Sequence, residues 1–183
     1  ADWSEAYSLF PGEVAYIWHA GTRAHIVADS IVKCGFELRT QIIWAKNNIV
    51  ISRGHYHVQH EPCWYAVKGT GHWQGSRQES TLWQIDKPQK SETGHSTQKP
   101  IECMRRPILN NSEKGDVVYD PFLGSGTTLI AAEKEKRVCY GIELEPSYMD
   151  IIIQRWQEQT DQHAVHEATG KSYEELSQER LNA

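Results

Sequence analysis

The sequence predicts an α/β fold with a mostly parallel sheet, and two observations support this prediction. Short apolar runs typical of buried strands alternate along the chain with segments of helical periodicity, which is the pattern of βαβ units. Between residues 116 and 148, a strand, a glycine-containing turn, a helix and a second strand follow one another without interruption. A chain of 183 residues is long enough to bury a core. We therefore expect one domain over residues 1–183.

The first part of the chain predicts three strands and one helix. Residues 1–10 are expected to be helical or irregular, and the apolar run Val14–Trp18 predicts a buried strand. Apolar residues at helical spacing over residues 21–34 predict a helix, which Gly35 ends. Residues 36–44 and residues 62–68 predict two further strands. The polar residues 46–59 between them predict a loop.

The second part begins with a segment that shows no hydrophobic period. Residues 69–92 contain glycine, serine and glutamine without a hydrophobic period, and we expect a long loop or a small insert. Ser172 is expected to cap the last helix, because a serine hydroxyl can accept from a free amide at a helix start. The remaining elements are predicted as helices over residues 100–110, 127–134, 146–158 and 172–180, as a buried strand over residues 117–119 and as a further strand over residues 138–142.

Composition excludes several classes of protein. The net charge of −5 is not that of a basic nucleic-acid binder, so any DNA contact must come from a local basic patch. The sequence contains no run of about 18 apolar residues, so no membrane span is predicted. The four cysteines are scattered, which favours a reducing cytoplasm over a disulfide framework. The polar, acidic start of the sequence does not resemble a signal peptide, and we expect a cytoplasmic protein.

The segment between Asp120 and Glu143 predicts a nucleoside site. Gly124 and Gly126 lie in the turn between the strand and the helix, where glycine permits positive φ and a close approach of the backbone to a ligand. In such a unit the ligand lies at the carboxyl ends of the strands, over the glycine loop. Glu143 ends the second strand, where a carboxylate can accept hydrogen bonds from both hydroxyls of a ribose.

The residues of the turn disfavour a pyrophosphate ligand. Thr127 follows Gly126 where a phosphate-binding loop would place lysine, and Leu129 occupies the third glycine position of a dinucleotide motif. Asp120 adds negative charge beside the turn. A carboxylate in this place favours a ligand with a cationic amine, such as the methionine end of S-adenosylmethionine.

Residues 120–128, Asp-Pro-Phe-Leu-Gly-Ser-Gly-Thr-Thr, resemble the cofactor motif of the amino-methylating DNA methyltransferases. The order of segments resembles one group of these enzymes, in which the catalytic half comes first, a target-recognition insert follows and the cofactor half comes last. The resemblance covers residues 14–156. The other matching segments are residues 16–20, 41–47, 60–68 and 96–100.

This resemblance implies a Rossmann-like sheet of the methyltransferase type and S-adenosylmethionine as cofactor. It implies methyl transfer to an exocyclic base amine of double-stranded DNA in a restriction-modification context, with adenine N6 expected and cytosine N4 left open. The implied division begins with a remnant of the catalytic half over residues 1–68 and a target-recognition insert over residues 69–95. A cofactor half follows over residues 96–159, and a tail over residues 160–183.

The family's catalytic motif, Asp/Asn/Ser-Pro-Pro-Tyr/Phe, does not occur in this sequence, so the catalytic residues are unknown. Asp120-Pro121 is the only Asp-Pro pair. The strand that carries the motif would lie in the middle of the sheet, between the Val117 strand and the Val14 strand. We expect these two strands to pair directly, to leave a gap, or to borrow a strand. The chain is expected to be a truncated or rearranged methyltransferase, whose missing segment a homodimer or a partner chain supplies.

The resemblance also assigns roles to individual residues. Asp120 is expected to hold the cofactor's amine, Glu143 its ribose hydroxyls, and Lys99 its carboxylate. Phe122 would pack beside the cofactor, and the two threonines after the loop would donate hydroxyl groups or cap the helix. The full set of expected cofactor residues is Thr97, Gln98, Lys99, Pro100, Asp120, Pro121, Phe122, Gly124, Ser125, Gly126, Thr127, Thr128 and Glu143.

Two stretches contain candidate DNA contacts. Arg53 and His55 are expected to face phosphates, with a solvated surface loop as the alternative. A basic and aromatic stretch in the insert has the composition of a DNA-reading segment, and it comprises Trp73, Arg77, Trp83, Lys87 and Lys90. No metal is predicted, because the potential ligands His55, His57, His60 and Cys63 lack the paired cysteine spacing of zinc sites.

Overall fold

The computed structural model describes residues 3–51, 53–86 and 98–182, which contain both helices and strands. The predicted α/β class is confirmed. In chain order the elements are α1 (Ser4–Leu9), β1 (Val14–Trp18), a 3-10 turn (Gly21–Arg23), α2 (Ala24–Lys33), β2 (Glu37–Val50), β3 (Val58–Val67), β4 (Leu82–Gln84), α3 (Ile101–Asn111), β5 (Val117–Asp120), α4 (Thr127–Lys134), β6 (Val138–Gly141), α5 (Pro146–Thr160) and α6 (Tyr173–Leu181).

The strands form two sheets. One has four strands in the order β1-β3-β2-β4, and the other is the pair β5-β6. β3 is antiparallel to both β1 and β2, whereas β4 is parallel to β2 and β6 is parallel to β5. The sheet is therefore mixed rather than mostly parallel, because β2 and β3 follow each other in a hairpin, and a hairpin makes its strands antiparallel.

The predicted loop over residues 46–59 is strand at both of its ends. β2 continues to Val50 and β3 begins at Val58, and these two residues pair with each other. Ile49, Val50 and Ile51 are β-branched residues that favour an extended backbone, although each is about half exposed or more. The prediction was wrong here because the charged and amide residues around Lys46 hid this β-branched run.

Part of the predicted insert is built into the main sheet. β4 pairs with β2 through Trp83 and Trp44, and the indole of Trp44 donates to the carbonyl of Ile85 at 2.7 Å. Trp83 is only 2% exposed and packs in the cluster that contains Trp44 and Cys63. The prediction of a loop over residues 69–92 is thus wrong for residues 82–84.

Helices cover both faces of the sheet beside β1. Ala15 and Ile17 pack into the cluster around Ile31 and Phe36, on the side of α2. The alternate residues Tyr16 and Trp18 pack into the opposite cluster, to which Cys103 of α3 belongs. The hydroxyl of Tyr16 also donates to Asn111 Oδ1 of α3 at 2.6 Å. The sheet therefore has α2 on one face and α3 on the other.

The smaller sheet has one buried face and one exposed face. Val118 and Cys139 pack against α3 and α4, in the cluster around Ile108, Ala131 and Ala132. On the other face Val117 is 59% exposed and Tyr140 is 61% exposed. The prediction of a buried strand over residues 117–119 was wrong for this face, where Val117 and Tyr119 remain 59% and 40% exposed.

A gap separates β1 from β5, which is one of the three arrangements expected from the sequence. The two strands belong to different sheets, and a cleft of about 800 Å³ lies between them. The ring of Phe10 bridges this cleft, since it stacks on both Phe36 and Tyr119, with ring centroids 6.3 Å and 6.0 Å apart, respectively. We call this space the inter-sheet cleft.

The last helix begins as predicted. The Ser172 side chain accepts from the Glu175 amide, and the Glu175 side chain accepts from the Ser172 amide, which forms a capping box. None of the helices within residues 3–51, 53–86 and 98–182 has the length and apolar character to cross a bilayer.

Candidate functional site

Asp120 joins the end of β5 to both ends of the glycine loop. Its Oδ1 accepts from the amide of Phe122 at 2.9 Å, and its Oδ2 accepts from the hydroxyl of Thr128 at 2.6 Å. Thr128 lies in the first turn of α4 and is buried. Asp120 therefore has a fixed orientation, and it lines the inter-sheet cleft together with Pro121 and Phe122.

Glu143 approaches the same loop from β6. Its Oε2 accepts from the amide of Gly124 at 2.7 Å, and its Oε1 accepts from the amide of Glu145 at 3.0 Å. The loop is also tied to β6 by the amide of Leu123, which donates to the carbonyl of Ile142 at 3.0 Å. Each carboxylate oxygen can accept a further hydrogen bond. The two predicted carboxylates therefore converge on one loop, although Glu143 is outside the set of residues that line the cleft.

The two glycines of the loop serve different purposes. Both have positive φ, +57° at Gly124 and +79° at Gly126. A β-carbon at Gly126 would lie 3.1 Å from Ile152 of α5, whereas at Gly124 it would meet only the Phe122 carbonyl oxygen at 3.9 Å. The missing side chain of Gly126 thus makes room for Ile152, and only Gly124 leaves open space beside the loop.

Thr127 and Thr128 connect elements rather than cap α4. The helix has Gly126 as its N-cap and no side-chain capping bond. Thr127 Oγ1 donates to the carbonyl of Lys99 at 3.4 Å, while Thr128 donates to Asp120. Both hydroxyls thus donate to groups of the protein itself, and the segment before α3 is held against the loop by Thr127.

Arg155 supports the loop from below, and sequence reasoning did not single it out. The side chain is 6% exposed, and its Nη1 donates to the carbonyl of Ser125 at 3.0 Å and approaches Thr127 Oγ1 at 3.4 Å. One signal was available in the sequence. Arg155 follows Ile152 by three residues and so lies on the buried face of α5, where an arginine needs partners.

Lys99 borders the cleft, but its charge is already paired. Its Nζ lies 3.2 Å from Glu61, which also contacts Lys46 at 2.7 Å, and 5.5 Å from the ring centroid of Trp18. Burial alone would raise the pKa of the Glu61 carboxyl, but the two lysines outweigh it and the pKa is lowered. The expected contact of Lys99 with a cofactor carboxylate would therefore involve this three-residue cluster.

The other expected cofactor residues lie around these groups. Phe122 is 54% exposed and meets Trp3 edge to face, with the ring centroids 4.8 Å apart. Pro100 is buried as the N-cap of α3, and Gln98 is half-buried. Thr97 lies outside the described residues.

The expected DNA contacts that the structure describes are exposed, with one exception. Arg53 and His55 lie in the turn between β2 and β3. Trp73, whose ring lies 6.3 Å from that of Tyr65, is 43% exposed, and Arg77 is exposed as well. Trp83 was expected to face DNA and is instead in the core, because β4 joins the sheet. Lys87 and Lys90 lie outside the described residues.

The residues with metal-ligand chemistry do not form a cluster in the described part of the chain. No three histidine, cysteine, aspartate or glutamate side chains there are grouped so that they could hold a metal ion.

The sequence matches a known family over most of its length. Residues 4–154 match the family model N6_N4_Mtase, described as DNA methylase. The chain is 32% identical over 146 residues to the Type II methyltransferase M.Cfr9I of Citrobacter freundii, an alignment that covers 72% of this chain and 48% of that protein. It is 29% identical over 165 residues to the Type II methyltransferase M2.MboI of Moraxella bovis, covering 79% and 59%, respectively. The chain spans about half the length of these curated relatives.

A solved structure shows the same fold. The crystal structure of an M1.HpyAVI–SAM complex superposes with a TM-score of 0.71 at 29% sequence identity, covering 83% of this chain and 81% of that chain. The mixed α/β arrangement described above is therefore that of a known methyltransferase-type structure.

Proposed function

The chain belongs to the DNA methylase family that the N6_N4_Mtase model describes, and from this premise we propose that it binds S-adenosylmethionine for methyl transfer to an exocyclic amine of a DNA base. The observation that carries the proposal is the convergence of Asp120 and Glu143 on one glycine loop, at the carboxyl ends of two parallel strands. Parallel α/β sheets bind nucleosides at this position.

The residues of the loop fit such a cofactor in charge and in hydrogen-bonding capacity. Bound S-adenosylmethionine supplies a methyl group on a positively charged sulfur. Glu143 accepts hydrogen bonds from the ribose hydroxyls, and Asp120 accepts a hydrogen bond from the ammonium group. Gly124 admits the ligand to the backbone, since open space adjoins it. Lys99 faces the cofactor carboxylate, Phe122 packs beside the cofactor, and the remaining expected residues shape the site around them.

Adenine N6 is the base position that we propose, with cytosine N4 as the alternative. Both belong to the chemistry that the family name covers. Digestion of methylated duplex DNA to nucleosides, followed by mass spectrometry, distinguishes N6-methyladenine from N4-methylcytosine. Detection of N4-methylcytosine alone would contradict adenine N6 as the methylated position and support cytosine N4.

Double-stranded DNA is the proposed substrate, in a cytoplasmic restriction-modification setting. The exposed residues Arg53, His55, Trp73 and Arg77, with Lys87, are the proposed contacts. The first four lie on the β2–β3 turn and on the segment after β3, where cations and an aromatic ring are open to solvent. Cations positioned in this way hold phosphates without reading sequence.

A second candidate function is supported by the absence of an Asp/Asn/Ser-Pro-Pro-Tyr/Phe tetrapeptide from the 183 residues. In this alternative, the chain binds the cofactor but transfers its methyl group only after a second copy or a partner chain supplies that segment. The reason is that the exocyclic amine of a flipped base must be held in line with the methyl group. Tritiated S-adenosylmethionine and unmodified duplex DNA test this. Transfer by the chain alone rejects the alternative, and cofactor binding without transfer supports it.

The proposed sugar contact is tested by substitution of Glu143. We expect Glu143→Ala to weaken binding of S-adenosylmethionine by about 1–3 kcal/mol, because the ribose hydroxyls lose a charged acceptor. Isothermal titration calorimetry measures this loss, and thermal unfolding shows whether the loop is still folded. Glu167→Ala, which removes an exposed carboxylate in the C-terminal segment, is the matched control. Equal affinity of the Glu143 variant and the control would remove Glu143 from the site.

A further inference from the structure

Lys99 is held by several contacts where it borders the inter-sheet cleft. Its Nζ lies 3.2 Å from Glu61 Oε2 and 5.5 Å from the ring centroid of Trp18, which lines the same cleft. Its backbone carbonyl accepts from the hydroxyl of Thr127, at the end of the glycine loop, at 3.4 Å. The ammonium group of Lys99 therefore has a defined place beside the candidate cofactor loop, with its side chain 24% exposed.

Lys46 contacts the other oxygen of the same carboxylate. Its Nζ lies 2.7 Å from Glu61 Oε1, and its side chain is only 9% exposed. Lys46 follows Trp44 by two residues on β2, and its Nζ lies 5.1 Å from the ring centroid of that buried tryptophan. Glu61 is therefore held between a lysine that packs on the core and a lysine at the cleft.

The charges of these three residues do not cancel. Burial alone would raise the pKa of the Glu61 carboxyl, but Lys99 and Lys46 together lower it, so Glu61 is ionised at neutral pH. A pair of Glu61 and Lys99 alone would be neutral and would attract an anion only weakly. Because Lys46 adds a second positive charge, the cluster of two lysines and one glutamate keeps a net charge of +1 beside the cleft.

One residue of the cluster reaches the inter-sheet cleft. Lys99 lines the cleft, whereas Glu61 and Lys46 are outside the set of described residues that line it. Arg23, in the exposed 3-10 turn, is the other lysine or arginine of that set. Asp120 lines the cleft with a negative charge. The cleft thus has an acceptor for an ammonium group and a cationic cluster for a carboxylate, which suits the two charged groups of an amino acid.

From these observations we propose that Glu61 and Lys46 are positioning residues for the carboxylate of the bound cofactor. Glu61 fixes the direction of the Lys99 ammonium group, and Lys46 supplies the second positive charge that leaves the cluster cationic. Both act through Lys99 and not by contact with the ligand. This inference rests on the proposed binding of S-adenosylmethionine, and it extends the site to two residues of β2 and β3 that are absent from the expected set of cofactor residues.

The role of Lys46 is tested with two ligands that differ only in the carboxylate. S-adenosylmethionine and its decarboxylated form share the amine, the sulfonium and the nucleoside, so the ratio of their dissociation constants isolates the carboxylate contact. We expect Lys46→Met to lower the preference for S-adenosylmethionine at least about fivefold, because the cluster becomes neutral. Isothermal titration calorimetry of the full chain measures both constants.

Two further variants show whether the charge of Lys46 is responsible. Lys46→Arg keeps a positive charge at this position, and we expect it to retain the preference to within about twofold. Lys114→Met removes an exposed lysine after α3 and is the matched control, which should leave both dissociation constants unchanged. A variant that is merely less well folded weakens both ligands alike and does not alter their ratio.

The role of Glu61 is tested without any ligand. Carbon-13 relaxation of the lysine Cε methylene groups measures how firmly each side chain is held. In the unmodified protein we expect Lys99 to be more ordered than the exposed Lys114. Glu61→Gln should reduce the order of Lys99 to nearly that of Lys114, because the two lysines of the cluster then repel each other. Glu167→Gln, at an exposed position, should leave the order of Lys99 unchanged.

Three outcomes would overturn the proposal. The first is equal affinity of the unmodified protein for the two ligands, which would show that the carboxylate is not recognised. The second is a preference that survives in Lys46→Met and is lost in Arg23→Met, which would assign the carboxylate to Arg23. The third is an order of Lys99 that Glu61→Gln does not change.

Failure of the proposed function would give a different result. An unmodified protein that binds neither ligand would reject S-adenosylmethionine as the cofactor, and with it the carboxylate as the anion that the cluster meets. The relaxation measurements need no ligand, so they would still decide whether Glu61 positions Lys99.

Discussion

At the residue scale, a side chain in place of a glycine can cost stability through backbone strain or through crowding. Three glycines with different surroundings allow these two costs to be compared. Gly126 has a φ of +79° and would place a β-carbon 3.1 Å from Ile152. Gly115 has a φ of +91° with nothing within 4 Å, and Gly21 has neither positive φ nor a neighbour within that distance. Alanine at Gly126 therefore meets both backbone strain and crowding, alanine at Gly115 meets backbone strain alone, and alanine at Gly21 meets neither of the two.

We expect the loss in the free energy of unfolding to be smallest for alanine at Gly21 and largest for alanine at Gly126. Gly21→Ala should change it by less than about 0.5 kcal/mol, and Gly115→Ala should lower it by about 1–2 kcal/mol because of left-handed backbone strain. Gly126→Ala should lower it further, by about 1–3 kcal/mol beyond the strain, since Ile152 must move. Urea unfolding of the three variants measures the series. A Gly126 variant as stable as the Gly115 variant would show that α5 yields without cost.

Residues of one type have different roles when their elements differ. Trp73 is 43% exposed, whereas Trp83, only ten positions away, is 2% exposed because β4 carries it into the core. Composition grouped the two as one aromatic stretch. The pairing of Trp83 with Trp44 of β2, which separates them, depends on residues far away in the chain.

At the element scale, the start of α6 is determined by its own residues. Ser172 and Glu175 accept from each other's amides, and α6 has no buried residue in its span. Its stability therefore depends on local interactions more than on packing. This explains why the cap was predicted correctly from the sequence, while the boundary of the β2–β3 arm was not.

We expect Ser172→Ala to destabilise α6 locally by about 0.5–2 kcal/mol, because the Glu175 amide loses its acceptor. Amide hydrogen exchange should be faster in residues 173–181 and unchanged in β2 and β3. Ser177→Ala, which lies within the same helix, is the control and should leave exchange equal or slower, since alanine favours the helix. Equal exchange in both variants would contradict a contribution from the capping box.

At the scale of the whole molecule, Glu61 connects parts that are distant in sequence. It lies on β3 and contacts Lys46 of β2 and Lys99 before α3, with its own side chain 33% exposed. The pKa of Glu61 in the folded protein is lowered from its ordinary value of 4.5. The folded state therefore stabilises the ionised carboxylate of Glu61 more than the unfolded state does.

The contribution of Glu61 to stability should depend on pH. It is present above its ordinary pKa of 4.5 and is lost as the pH falls through the lower value of the folded state. We expect Glu61→Gln to be less stable than the unmodified protein near pH 7, and we expect this difference to shrink as the pH falls towards about 3. Urea unfolding across this range measures it, with Glu167→Gln as an exposed control. A difference that stays constant with pH would show that Glu61 acts through packing and not through its charge.

The inter-sheet cleft also belongs to this scale. Two strand edges that point at each other across an apolar space are unusual in a folded protein, because open edges are templates for pairing.

The sequence by itself determined the local elements and the chemistry of the glycine loop. Val14–Trp18 is a strand with the predicted bounds, and Asp120 and Glu143 converge on the loop between them. Periodicity, capping residues and turn glycines suffice for such features, because their physical causes lie within a few residues.

Only the tertiary structure decided which strand edges meet and which charges pair. Lys99 was expected to meet a ligand and is paired with Glu61, and β5 was expected to be buried and has an exposed face. Hydrophobic periodicity shows which side of a segment is apolar, but it does not show which other segment will cover that side. Strand order depends on contacts between distant parts of the chain, and for that reason only the folded molecule decided which of the three expected arrangements of β1 and β5 occurs.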